Sequence, residues 1–254
     1  METTQQPKTI IGSITKTTKE WIDHFIENAT QQRIDWKLTP SISAAEIALI
    51  LPSLQAWQLG ETSDGSHLLR AASLYSKKID DPMYVEAVSL FIKEEQKHGN
   101  NLGCYLDRIG KPRVKRNWGD SLFRKVRYFN TSMEIWTLAV IVVESTAQIF
   151  YQSLKNATSC SLLKQICTDI LIDEAYHIEF QTERLAIIFG QTAPRGRMLR
   201  RSFYCLFFFM TASLVWIAHR KLFVRGGGNT YTKFMYKMKF KYARTIKKAT
   251  SYKW

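Results

Sequence analysis

Two stretches of this chain place a glutamate three residues before a histidine: "EEQKH" at 94–98 and "DEAYH" at 173–177. In a helix, positions i and i+3 share a face, so Glu95 with His98, and Glu174 with His177, would each aim an oxygen and a nitrogen at one spot. With 13 glutamates and five histidines in 254 residues, composition alone produces well under one such pair. Each pair also follows a solitary glutamate: Glu61 lies 34 residues before Glu95, and Glu144 lies 30 before Glu174. Glu144 sits in "VIVVESTAQIF", with no counter-charge nearby in sequence. A bare carboxylate in such a run costs several kcal/mol unless it is paired, protonated or bound to metal. Four carboxylates and two imidazoles suit two divalent cations, which would leave a buried site formally neutral. Oxygen-rich ligation with one imidazole per metal favours iron or manganese over zinc. Glu61, Glu95, His98, Glu144, Glu174 and His177 are therefore the candidate metal ligands, and no catalytic side chain is singled out beyond the metal centre.

These residues need long helices to position them, and the pattern supplies helices. From Ser41 to Lys78 apolar residues recur every three or four places, with a kink expected at Pro52. "DDP" at 80–82 reads as a stop and restart, with Asp81 as N-cap and Pro82 in the first helical position. A second helix is expected from Met83 to Ile109, a third from Ser132 to Leu154, and a fourth from Ser161 to Gly190. Alternating runs bounded by turn signals are missing, so the class is all-α. The basic stretch 111–131 reads as a long connection, with room for one helical turn. The expected architecture is a four-helix bundle with a long crossover between helices 2 and 3, plus extra N- and C-terminal helices. Residues 1–40 form an N-terminal helical extension, 41–190 the bundle, and 191–254 a basic C-terminal extension with an apolar helix at 202–218.

The ligand set, its order and its spacing resemble the ferritin-like di-iron carboxylate superfamily, in which this ligand pattern is known. The resemblance covers roughly residues 41–190. Within it, "QLGETSDGSHLL", "FIKEEQKHGNNL", "VVESTAQIFYQSL" and "ILIDEAYHIEFQTERL" look like a largely uncharacterised bacterial ferritin-like domain family. It implies a ferritin-like fold, Glu95 and Glu174 as bridging or terminal carboxylates, and His98 and His177 as terminal ligands. It also implies that Glu94 and Asp173 hold imidazole N–H groups. On the residues alone, Glu94 reads equally as a solvated helix acid.

Around the ligands the sequence offers a few more features. "GETSDG" at 60–65 is odd in mid-helix, because two glycines each cost about 1 kcal/mol relative to alanine. It reads either as a wide turn that opens a pocket beside Glu61 or as a simple kink. Asp64, Gln148 and Tyr151 are candidate pocket residues, Tyr151 with a competing core role. His67 lies six residues after Glu61, about 240° round a continuous helix, and so is expected to face away from the site.

Charge divides the chain in two. Residues 1–183 carry 20 Lys/Arg against 22 Asp/Glu, whereas Arg184 to Lys253 hold 16 Lys/Arg and no acid. The body is near neutral and the tail strongly basic. Hydrophobic content of 45% and aromatic content of 13% are ample for a packed core, which excludes a disordered chain. The start, "METTQQPKTIIGSITKTTKEW", carries an early acid and lacks an apolar run of roughly 7–15 residues, which argues against a signal peptide. Cys104, Cys160, Cys167 and Cys205 form no C-x-x-C pair and read as reduced thiols of a cytoplasmic protein. The 17 uncharged residues Ser202 to Ala218 have three readings: a fifth helix on the bundle, an in-plane membrane contact, or a span. "RGGGN" at 225–229 reads as a turn. The lysine- and aromatic-rich end could meet an anionic membrane surface or RNA, or stay solvated.

The expected function is a di-iron, or manganese–iron, oxidoreductase that uses dioxygen as co-substrate to hydroxylate or N-oxygenate a small organic molecule. The symmetric motif pair resembles oxygen-activating members more than storage ferritins. Such an enzyme needs an electron donor, a reductase or a ferredoxin. Two alternatives stay open: ferroxidase, iron-handling or peroxide-scavenging work, and a non-catalytic scaffold whose tail binds membrane or nucleic acid. Peripheral contact with the inner face of the membrane and a homodimer are also left open.

Overall fold

Thr17 and Ser43 each begin a helix by the same exchange. Their side chains accept the backbone N–H of Glu20 and Glu46, whose carboxylates accept the backbone N–H of Thr17 and Ser43. In the computed structural model, which describes residues 16–116 and 132–251, all regular structure among the described residues is helical. The helices are α1 (Thr18–Ala29), α2 (Ala44–Glu61), α3 (Ser66–Ile79), α4 (Met83–Arg108), α5 (Met133–Asn156), α6 (Ser161–Gly190), α7 (Pro194–Arg225) and α8 (Tyr231–Tyr242). A π-helical turn, Ala243–Lys247, then leads into the short α9 (Lys248–Ser251). Residues 1–15 of the expected N-terminal extension, and residues 117–131 of the basic connection, lie outside the described residues.

α4 is the axis of the fold. It packs against α1, α2, α3 and α6, while α5 and α6 form the most extensive helix pair. Along α4 the side chains change character in order. Tyr84, Val88 and Phe91 join one apolar cluster with Trp21, Phe25 and Phe180. Leu102, Tyr105 and Leu106 join another with Leu138, Phe150 and Ile170. The Glu94–His98 segment lies between the two.

The helix expected over residues 41–78 is in fact two. α2 runs through Pro52 and stops at Glu61, and α3 restarts at Ser66. Pro52 has no N–H to give the carbonyl of Ala48, and Lys221 Nζ from α7 donates to that carbonyl instead at 2.8 Å. The break falls at Gly65, whose φ of +68° suits glycine, and where a Cβ would meet Ile92 Cδ1 at 2.6 Å. The "GETSDG" stretch is therefore a chain break beside Glu61. Pro82, expected at the first helical position, caps α4 from outside it.

The C-terminal helices share the bundle's apolar core. Tyr204, Phe208, Ala212, Leu222 and Phe223 of α7 are buried, with Phe234 and Met238 of α8, in the cluster that holds Phe150. The glycine-rich turn ends at Asn229, whose side chain donates to Ser153 Oγ at 3.1 Å and accepts from Lys237 Nζ at 2.7 Å. α7 departs from helical backbone at His219 (φ −116°, ψ 17°), where the imidazole sits near the rings of Trp57, Phe150 and Phe223.

His219 Nδ1 lies 3.0 Å from Ser53 Oγ, and burial pushes its pKa down from 6.5 to about 4. The unfolded chain takes up this proton at a higher pH than the folded one. Folding stability from this group is therefore complete above about pH 6.5 and lost as pH falls toward 4. Urea melts of the wild type should weaken across that window, and those of His219→Gln should weaken less steeply. Parallel slopes would refute this.

Candidate metal centre

Six side chains from four helices meet in the interior. Glu61 is the last residue of α2; Glu95 and His98 lie on α4, Glu144 on α5, and Glu174 and His177 on α6. Ligand atoms of Glu95, Glu144, Glu174 and His177 lie within 4.8 Å of one another, and so do those of Glu61, Glu95 and His98. Glu95 belongs to both groups and occupies the shared position. Glu174 lies between the imidazoles, with Oε1 3.8 Å from His98 Nδ1 and Oε2 3.3 Å from His177 Nδ1. Glu174, His98 and His177 are fully buried, Glu61 and Glu144 nearly so, and Glu95 is partly open.

The histidines are held from behind, and the holding crosses between helices. His98 Nε2 lies 3.0 Å from Asp173 Oδ2, and His177 Nε2 lies 2.7 Å from Glu94 Oε2. Each acid thus grips the histidine of the opposite motif, across 75 and 83 residues of sequence. A carboxylate on Nε2 keeps a proton on that nitrogen and turns Nδ1 toward the cluster. Glu94, one of whose two readings was a solvated acid, is buried.

Residues that no spacing pointed to complete this outer ring. Asn28, at the end of α1, donates through Nδ2 to both Glu94 and Asp173, the latter at 2.8 Å. Arg33 donates to Asp169 and Asp173, each at 2.8 Å, and to the Asn28 side-chain carbonyl. Lys97 Nζ donates to Asp173 at 2.8 Å. The stretch 16–40 is therefore part of the site's support. Nothing in "FIENATQQR" sets Asn28 or Arg33 apart from the surface polar residues of any short helix and loop.

The electrostatics follow from crowding. Burial, with the charges of Glu95 and Glu174, raises the Glu61 pKa well above the carboxylate range, and burial with the same kind of repulsion raises Glu144. For Glu95 burial acts upward too, but His177 and His98 outweigh it and hold the carboxyl at about 2. Burial alone would depress His177, yet the surrounding glutamates raise it well above 6.5.

The donor set fits divalent metal ions on an observation independent of charge. Glu95 Oε1, Glu174 Oε1 and His98 Nδ1 are buried and have no hydrogen-bond partner. Glu95 Oε1 does lie 2.7 Å from His177 Nδ1, outside hydrogen-bond alignment. Buried polar atoms without partners are rare, and these three belong to side chains of the two overlapping ligand groups, free to ligate a cation. Oxygen and imidazole donors without thiolate suit iron or manganese.

A cavity of about 370 Å³ opens onto this cluster. Its lining includes Glu61, Glu95 and Glu144 together with the apolar side chains of Trp57, Leu68, Phe91, Trp136 and Val143. Asp64 lines it, as expected of a pocket residue. His67 lines it as well, contrary to the expectation that it faces away, because the break after Glu61 cancels the angle counted along a continuous helix. Tyr151 lies in the apolar core and donates its hydroxyl to Glu61 Oε1 at 2.7 Å. Gln148 is not part of this cavity. It lines a different one, between α5, α6 and the C-terminal helices, and accepts from Lys241 Nζ. Gly99, next to His98, keeps α4 close to α2: a Cβ there would sit 3.0 Å from the carbonyl carbon of Glu61.

In comparisons with family models, curated proteins and solved structures, nothing matches this chain. The class of protein is thus given by the architecture and the site: an all-helical protein with a buried carboxylate–histidine cluster that could hold metal.

Asn28→Ala should leave helicity intact and weaken metal binding about 10–100-fold, the usual effect of removing a group that orients ligands. Titration with cobalt(II) followed by its visible absorption measures this, and unchanged affinity would remove Asn28 from the site. Metal binding must also displace protons from Glu61, Glu144 and the imidazoles. Affinity should therefore fall as pH falls, about tenfold per unit for each proton displaced between pH 7 and 6. Affinity that ignores pH would contradict the buried, proton-loaded cluster.

Proposed function

We propose that this protein is a ferritin-like dimetal oxidoreductase that uses dioxygen to oxidise a small, largely apolar organic molecule. The observation that carries the proposal is the six-residue cluster with both Nδ1 atoms turned inward, beside a cavity lined in part by Trp57, Leu68, Phe91 and Trp136. A storage or scaffold role gives no reason for that adjoining cavity, whose volume suits a small molecule.

When bound, a pair of irons, or of manganese and iron, supplies electrons to dioxygen. The protein's own residues do the rest. Glu95, common to both ligand groups, would serve as a ligand to either metal, and it is the most open of the six side chains. Glu94 and Asp173 keep the imidazoles oriented, so that the nitrogen ligands stay fixed while the carboxylates move. Tyr151 donates to Glu61 and can give or hold a proton at Oε1. Trp57, Phe91 and Trp136 in the cavity lining would pack against an apolar substrate and hold it beside the carboxylates. A reductase or ferredoxin would return electrons between turnovers.

Loading the purified chain anaerobically with ferrous iron should give about two irons per chain, and Glu95→Ala should lose most of both. Admitting dioxygen should then oxidise the iron and consume oxygen in the wild type only. Iron-dependent growth of a large mineralised particle would instead support iron handling. No iron in either protein would end the dimetal reading.

A further inference from the structure

The outer face of α7 carries an apolar stripe that no part of the described fold covers. Leu199, Phe203, Leu206, Met210, Leu214 and Ile217 recur at spacings of three and four, which holds them on one side of a helix. They are between 42% and 72% exposed, whereas Tyr204, Phe208 and Ala212 on the opposite side are buried in the bundle. α7 is therefore apolar on both sides. α5 and α7 are both long and apolar enough to cross a membrane, but 67% of the most apolar window of α5 is buried against 22% for α7. α5 is accounted for as the core helix; α7 is not.

At 1.5 Å per residue the stripe from Leu199 to Ile217 runs about 27 Å. No Asp, Glu, Lys or Arg occurs between Arg201 and Arg220. A continuous apolar surface of this extent on a soluble domain marks an interaction site. Both of its ends are basic. Arg195 at one end, and Arg220 and Arg225 at the other, are exposed and unpaired among the described residues. On α8, Tyr236 and Phe240 are 76% and 59% exposed, interleaved with Lys233, Lys237, Lys239 and Lys241.

We infer that this face docks on an anionic lipid bilayer, with α7 lying in the membrane plane, its stripe among the acyl chains and its basic ends on headgroup phosphates. Charge separates this occupant from the others. A second copy of this face would set the exposed Arg195, Arg220 and Arg225 at the ends of one stripe against those of the other, with no acid on α7 to offset them. A transmembrane placement would require α7 to leave the bundle, where Tyr204 is buried and donates to Glu134 of α5. An anionic interface satisfies the stripe and both ends at once.

The test uses the full chain with unilamellar vesicles of phosphatidylcholine, alone or with phosphatidylglycerol, read by co-sedimentation. Wild type should bind the phosphatidylglycerol vesicles at least tenfold more tightly than those without. Leu206→Glu with Met210→Glu should lower that binding at least tenfold while helicity and melting temperature hold. Leu214→Gln with Ile217→Gln serves as the second pair if the first one disturbs the fold. Absence of binding to phosphatidylglycerol vesicles overturns the inference, and so does binding that survives both pairs. Sedimentation velocity without lipid is the remaining arm: a dimer that these substitutions convert to monomer would make a second copy the occupant and overturn it too.

Discussion

Four buried carboxylates in one place repel each other, and the surrounding structure is organised around that repulsion. Glu61, Glu95, Glu144 and Glu174 come from four different helices, so their mutual repulsion acts to push the helices apart. Without cations, protons must relieve it, which is why burial and like charge drive Glu61 and Glu144 toward the neutral form. With two divalent cations the same crowding turns into ligation. The protein keeps this arrangement together by mechanical means. α4 and α6 are continuous through the cluster, and each carries one motif and one acid that grips the other helix's histidine.

The outer ring explains how a charged interior is tolerated at all. Glu94, Asp169 and Asp173 add negative charge behind the cluster, and Arg33 and Lys97 offset it from the rim. Asn28 is uncharged and ties Glu94 to Asp173, which couples the two halves of the site through one side chain. Removing any member of such a ring leaves a buried partner unsatisfied, so the ring behaves as a unit. The short α1 has no ligand of its own, yet it fixes the ligands through this contact and through Trp21 and Phe25 in the core beside α4.

The cavity depends on two close backbone approaches. Gly99 brings α4 against the end of α2, which places Glu61 within reach of Glu95 and His98. Gly65 then turns the chain away, so that Thr62, Ser63, Asp64, Gly65 and His67 line the cavity in place of another helical turn. Away from the carboxylate–histidine cluster, Lys221 on the Pro52 gap and Asn229 on Ser153 bind the C-terminal helices to the bundle. α7 is thus held rigidly with its apolar face outward.

Helical periodicity is local, and what depends on it was legible in the chain itself. α6 runs from Ser161 to Gly190 as the pattern requires, and the i, i+3 pairing of Glu95 with His98 and of Glu174 with His177 needs only a continuous helix. The all-α class follows from the same periodicity. Contacts across the bundle were not legible in this way. Residues 66 and 145 positions apart meet at Asn28, and no local pattern encodes such a meeting. His67 shows the limit directly: its angle to Glu61 holds only for an unbroken helix, and the chain leaves the helix after Glu61 and turns at Gly65, where φ is +68°. Gln148 likewise sits one helical turn from Glu144, yet packing turns it to the opposite cavity. Sequence alone determined the ligand types, their spacing and the charge division of the chain, because these reside in single helices and in composition. Tertiary structure decided which acid holds which histidine, where the cavity opens and which face of α7 stays bare, because each depends on side chains that only packing brings together.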